Sequence, residues 1–200
     1  MALTLLHTAA VHVATFDALR DRIAPGSELR HVVRPDWLDR ARADGAEAVR
    51  DDLRAVLADG GRVLCTCTTL GPLAAELGAL RVDAPMMRAA ARSAGPVVMA
   101  YALESTVAPS RDLFVAEGGD VARLKMLDLT RFWPLFVAGE TGAFHAAVAG
   151  AVRDHAPPAG SVVVLAQVSM AGAADHLRDL AVPVLSSPET ALKVALGAAF

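Results

Sequence analysis

Long hydrophobic runs, cysteine, aromatic residues and an excess of one charge are all scarce in this chain of 200 residues. No stretch approaches the ~20 uninterrupted apolar residues that a membrane-spanning helix needs, so no membrane partner is expected. Cysteine occurs only as Cys65-Thr66-Cys67. That spacing is too close for an easy disulfide and too sparse for a structural zinc site, which points to reduced thiols. The histidines His12, His31, His145, His155 and His176 show no ligand pattern such as an i, i+4 pair with a carboxylate, and no metal is expected. Lys and Arg number 19 against 22 Asp and Glu, a net charge of -3, and they are dispersed. Without a basic stripe to neutralise phosphates, nucleic acid is excluded as a partner. Residues 1–6 lack a basic start and read as a strand rather than a signal peptide, so a cytoplasmic protein is expected. Neither a G-x-G-x-x-G after a strand, a phosphate loop nor a G-x-S-x-G elbow occurs, which disfavours nucleotide enzymes and serine hydrolases.

What the chain does hold is apolar material in short, repeated pieces. Its hydrophobic fraction of 54% suffices for one domain or two small lobes with a sizeable core. Apolar runs at 3–6, 29–33, 62–65, 97–100 and 162–166 read as buried strands, with weaker ones at 80–82, 125–127 and 182–185. Segments of helical periodicity lie between them, at 13–23, 46–58, 73–77, 86–94, 109–117, 142–155 and 172–180. The alternation predicts an α/β fold with parallel sheets. Ligands of such sheets bind at the carboxyl ends of the strands, where His7-Thr8, Cys67-Thr68-Thr69 and Val168-Ser169 stand.

An internal echo refines this picture. Residues 63–77 and 163–177 superpose without a gap at an offset of one hundred, pairing Cys67 with Gln167, Thr69 with Ser169, Leu70 with Met170 and Leu77 with Leu177. A fainter echo matches Leu5-Leu6-His7-Thr8 to Val98-Met99-Ala100-Tyr101. The expected architecture is two pseudo-symmetric parallel-sheet β/α lobes, 1–95 plus 187–200 and 96–186, with the site in the cleft between them.

Around Val63-Leu64-Cys65-Thr66-Cys67-Thr68-Thr69-Leu70-Gly71 the sequence resembles the first cysteine loop of the aspartate/glutamate/hydantoin racemase superfamily. Further support comes from the His7-Thr8 loop, the Asp83-Ala84-Pro85-Met86 step, the Glu104-Ser105-Thr106 loop and Ala166-Gln167-Val168-Ser169-Met170. The resemblance spans most of the chain. It implies cofactor-independent chemistry at a carbon next to the carboxylate of a small substrate, with one cysteine from each lobe acting on opposite faces. It also implies that the final helix, near 188–196, returns to the first lobe. This chain departs from the pattern where the second cysteine belongs. Gln167 stands there, and a carboxamide cannot exchange a proton at neutral pH. Maleate isomerases of the superfamily use both cysteines, whereas its arylmalonate decarboxylases use a single one, carried by the second lobe rather than the first.

Chemistry at such a carbon needs an acid or base of suitable pKa and preorganised donors for the enediolate oxygens. Cys67 is the expected acid/base, its thiol depressed from ~8.5 by the helix start that follows. Thr8, Thr68, Thr69, Ser105, Thr106, Gln167 and Ser169 are the expected substrate contacts, with His7 as a general acid and Glu104 as a base held as further candidates. Each has a structural alternative. Cysteine also serves as a small buried hydrophobe, and Cys65, inside its strand, is read that way. Ser and Thr also cap helices, a strand-end histidine is often only a satisfied core group, and Glu104 suits a solvated first turn. Phe132-Trp133-Pro134-Phe136 is read as buried packing. The Ala-rich helices at 86–94 and 144–152 suit close pairing between subunits of a homo-oligomer and ordinary lobe packing equally.

Overall fold

A computed structural model describes residues 2–59 and 61–197 of the chain. They form two compact units, Met1–Asp83 with Pro188–Phe200 and Ala84–Ser187. The first unit carries β1 (Leu3–His7), α1 (Val11–Ile23), β2 (Leu29–Val33), α2 (Pro35–Asp44), α3 (Arg50–Ala58), β3 (Arg62–Cys65), α4 (Gly71–Glu76) and β4 (Leu80–Arg81). The second carries α5 (Ala84–Arg92), β5 (Val97–Tyr101), α6 (Val107–Ala116), β6 (Leu124–Asp128), α7 (Trp133–Val137), α8 (Thr141–Asp154), β7 (Val162–Leu165) and β8 (Val184–Ser186). From Pro188 onward α9 (Ser187–Leu196) belongs to the first unit, where Arg22 of α1 pairs with Glu189. Both sheets are four-stranded and wholly parallel, in the orders β2-β1-β3-β4 and β6-β5-β7-β8. The α/β fold of two matching parallel sheets therefore stands as the sequence implies. Among the described residues no helix is long and apolar enough to cross a membrane.

The central strands lack polar alternation because both of their faces are covered. In the second unit Val98, Ala100, Val163 and Leu165 pack on one side with Phe144, Val148 and Val152 of α8. Val97, Met99, Val162 and Val164 pack on the other with Met86, Met87 and Phe114. Helix α5 thus joins the second unit's core. Phe136 stacks against Trp133 with centroids 4.9 Å apart and lies 5.5 Å from Phe144, so this segment packs on the core while staying half-exposed. In the first unit Leu6, Val63, Cys65 and Cys67 face Trp37, Leu53, Leu70 and Leu73. The loops before β5 and β7 meet backbone to backbone: a Cβ on Gly95 would stand 1.9 Å from the Gly160 carbonyl oxygen, so only glycine fits.

Equivalent hydrogen bonds put the two units in register. Thr66 N–H donates to the Leu6 carbonyl at 2.9 Å, and Ala166 N–H to that of Ala100 at 3.0 Å; Arg34 to His7 and Leu129 to Tyr101 each measure 2.8 Å. These bonds make Cys67 and Gln167 counterparts, in keeping with the hundred-residue offset. They correct the fainter echo by one residue: His7 matches Tyr101, and Thr8 matches Ala102. Two helical expectations also change. The segment expected as a helix over 172–180 forms 3-10 turns over Val168–Leu177, with Gly172 pressed on the His145 ring. Helix α2 was not expected, although Pro35 at its first turn and the buried pair Trp37 and Ala41 one turn apart are ordinary helix signals.

Candidate active site

The carboxyl ends of β1 and β3 bring Thr8 and Cys67 together. The Cys67 sulfur is hydrogen-bonded by the Thr8 hydroxyl and by the backbone N–H groups of Leu70 and Thr69. Such donors favour a thiolate, yet burial outweighs them, and the nearby Asp83 carboxylate opposes ionisation as well. The Cys67 thiol is therefore raised above its ordinary value, which corrects the expectation of depression by a helix start. Helix α4 is only six residues long and begins after the loop, whereas Cys67 is buried, with 7% of the residue exposed. Cys67 rests as the neutral thiol, a proton donor. Cys65 is fully buried, its thiol is likewise pushed up by burial, and it gives its S–H to the Cys67 carbonyl at 3.5 Å. Its role is packing.

Under this loop a bidentate ion pair joins Arg81 Nε and Nη2 to the two carboxylate oxygens of Asp83 at 2.9 and 2.8 Å. Asp83 is buried and Arg81 nearly so. A Cβ on Gly71 would lie 2.9 Å from the Arg81 Nε, so glycine at the head of α4 lets the guanidinium lie beneath the loop. Thr68 is buried and Thr69 half-buried. His7 does not line the exposed side of the loop. Its ring is fully buried, with Nδ1 2.8 Å from Thr66 Oγ1 and Nε2 2.9 Å from His31 Nδ1. Burial, with His12 and His31 close by, lowers its pKa to about 3 and keeps it neutral.

In the second unit the Gln167 Oε1 accepts from the Ala102 N–H at 2.6 Å, and Nε2 donates to Ser169 Oγ at 3.5 Å. Because the Ala102 amide requires an acceptor, the carboxamide orientation is fixed with its NH2 outward from that bond. Ser169 is buried, and its carbonyl meets His145 Nε2 at 2.9 Å. Thr106 is buried and spends its hydroxyl on the Leu103 carbonyl at 2.6 Å, while Ser105 is half-buried and Glu104 exposed. Each unit thus ties the end of its first strand to the end of its third, by Thr8 and Cys67 in one and by Ala102 and Gln167 in the other. A separate surface depression of about 490 Å³ among Ala174, Asp175, Arg178 and Val182 includes none of these residues.

Sequence reasoning passed over Thr66, His31, Asp17 and Ala102. The signal for Thr66 was its place between two cysteines; for His31, its strand adjacent to that of His7. Ala102 acts through its backbone, which no residue type announces.

No family model matches the chain, and no curated protein matches it. Solved structures do. Allantoin racemase from Klebsiella pneumoniae aligns with a TM-score of 0.71 at 20% identity, over 98% of this chain and 86% of the other. Aspartate racemase from Picrophilus torridus gives 0.71 at 13%, over 100% and 95%, and an arylmalonate decarboxylase gives 0.58 at 15%, over 98% and 91%. These are proteins of the superfamily that the cysteine loop resembles, and at such identities the likeness establishes the fold.

Proposed function

We propose that the protein is a cofactor-independent enzyme that transfers a proton on one face of the carbon next to the carboxylate of a small acid, with Cys67 as its single thiol acid/base. The observation carrying this reading is the contrast at two matched positions. Cys67 is a buried neutral thiol surrounded by three donors, and its counterpart Gln167 is a non-titrating carboxamide fixed by the Ala102 N–H. Two thiols support removal of a proton on one face and return on the other; one thiol supports one face.

The thiol's protonation state favours the acid role. In a decarboxylation the C–CO2 bond breaks, its electron pair passes into the remaining carboxylate as an enediolate, and the Cys67 S–H proton forms the new C–H bond. The thiolate then takes a proton from water. Thr8 and the N–H groups of Thr69 and Leu70 stabilise that thiolate as it forms, in an environment where such donors count for more than in water. Hydroxyls of Thr68, Thr69, Ser105 and Ser169 and the Gln167 NH2 are the proposed donors to substrate oxygens. Stereospecific isomerisation, or hydrogen exchange with retention, would use the same thiol.

The experiment is incubation in deuterated water with amino acids, hydantoins, malonates and maleate, following carbon-bound hydrogen and products by NMR beside Cys67→Ala and Gln167→Cys. Turnover or exchange that disappears in Cys67→Ala is expected. An unchanged rate in that variant refutes the mechanism. Racemisation gained only in Gln167→Cys would identify the missing second thiol as what confines the protein to one face. The same Gln167 supports a second reading, a carboxylate-binding protein without turnover, which thermal stabilisation by dicarboxylates without product would favour.

A further inference from the structure

A chain of polar side chains, buried at His7 and Thr66 and more exposed at His31 and Asp17, runs behind the cysteine loop on the opposite face of the first sheet. Asp17 Oδ1 lies 3.3 Å from His31 Nε2, His31 Nδ1 2.9 Å from His7 Nε2, and His7 Nδ1 2.8 Å from Thr66 Oγ1, which is also 3.0 Å from the Leu6 carbonyl. The Asp17 carboxylate only accepts, so His31 Nε2–H donates to it. The Thr66 hydroxyl donates to the Leu6 carbonyl, so the neutral His7 ring gives its Nδ1–H to Thr66 Oγ1 and leaves Nε2 as the acceptor toward His31 Nδ1. The Leu6 carbonyl also accepts the Thr66 N–H.

We propose that Thr66 and His7 are positioning residues for the Cys67 thiol, fastening β1 to β3 at the level where one strand releases Thr8 and the other Cys67. The inference rests on Cys67 being the reactive group. Pure packing does not explain the pair, because the site is walled by Phe16, 5.5 Å from His7, and by the fully buried Leu5 and Leu64. Desolvating an imidazole and a hydroxyl there is unfavourable unless their bond is made, and an aliphatic pair would pack without that cost. The second unit supplies an internal comparison. It keeps the backbone bond between the same strand ends, but Tyr101 and Ala166 stand in place of His7 and Thr66. Tyr101 bonds to Asp128, and alanine has no hydroxyl. The side-chain clamp occurs in the unit that carries the thiol, where the donors to sulfur come from two separate loops.

The test is the rate at which iodoacetamide alkylates Cys67, located by peptide fragmentation, in wild type, Thr66→Val and Thr66→Ser, with melting midpoints measured alongside. Valine keeps the shape and removes the hydroxyl; serine restores it. Thr66→Val is expected to be alkylated several-fold faster, as the loop that buries the sulfur loosens, and Thr66→Ser at the wild-type rate. A Thr66→Val protein that is less stable but alkylated at the wild-type rate reduces the pair to packing and overturns the proposal. If Thr66→Val does not fold, His7→Leu carries the test. It removes the ring that bonds the Thr66 hydroxyl, so alkylation faster than wild type is expected and wild-type alkylation overturns the proposal. Alkylation needs no substrate, so a protein silent on the substrate panel loses the enzyme reading while this test stands. Where turnover is found, Thr66→Val should lower kcat roughly tenfold or more with KM within about twofold, since small misplacements of a reacting group are costly.

Discussion

Lowering the pH from 7 to 5 should destabilise the protein through two histidines, well above the range in which its carboxylates titrate. Burial holds His7 down to about 3 and His12 to about 4, against 6.5 for an unhindered ring. Between those limits the unfolded chain binds protons that the folded protein refuses, so stability rises with pH and is lost as pH falls. At pH 5 the unfolded state is favoured by about 1.5 pH units for each ring, at ~1.36 kcal/mol per unit, or about 2 kcal/mol each and about 4 kcal/mol together. For a chain of this size about 1 kcal/mol corresponds to about 2–4 °C, so the thermal midpoint should fall on the order of 10 °C. Circular dichroism melts at pH 7, 6 and 5 measure this directly. His7→Asn should remove about half of the dependence, because that ring no longer competes for a proton. A midpoint constant to within about 2 °C over this range would refute the reasoning, as would a full-sized drop retained in a variant lacking both rings.

Other perturbations probe separate parts of the structure. Asp83→Asn replaces the buried carboxylate that holds the Arg81 guanidinium by a neutral amide and should cost on the order of 3 kcal/mol, read from urea denaturation. Gly95→Ala drives a methyl into the Gly160 carbonyl, which lies 1.9 Å from the added Cβ, and should cost at least about 2 kcal/mol in the same assay. Gln167→Glu still offers an oxygen to the Ala102 N–H while replacing the outward NH2 by an acceptor. Stabilisation by malonate should then fall about tenfold or more in apparent affinity, with the melting midpoint without ligand little changed. Unaltered malonate binding would remove Gln167 from the set of substrate donors.

The alternation of strands and helices was legible in the sequence because the central strands of each sheet are buried on two faces, which leaves uninterrupted apolar runs such as Val162 to Leu165. The match of Cys67 to Gln167 was legible for the same reason: it follows a run with no gap. Alignment of the first strands slipped by one residue because Leu-Leu and Val-Met are equally apolar, and only hydrogen-bond register distinguishes them. The electrostatics were the least legible part. A thiol before a short helix reads as depressed until its burial is known, and His31 reads as an isolated histidine until the pairing of β1 with β2 sets it diagonal to His7. Such facts depend on depth and register, and composition and spacing record neither.

The return of α9 to the first unit bears on how the chain acquires its structure. Residues 84–187 are continuous and can close their core as soon as they leave the ribosome. The first unit begins earlier and finishes later, because Ala191, Leu192 and Ala195 are buried only when the last helix docks. During synthesis the apolar surface that receives α9 stays open while some hundred residues are still being made. A lesion in α9 should thus be felt first as aggregation of new chains, and only afterwards as a lower melting point of those that survive.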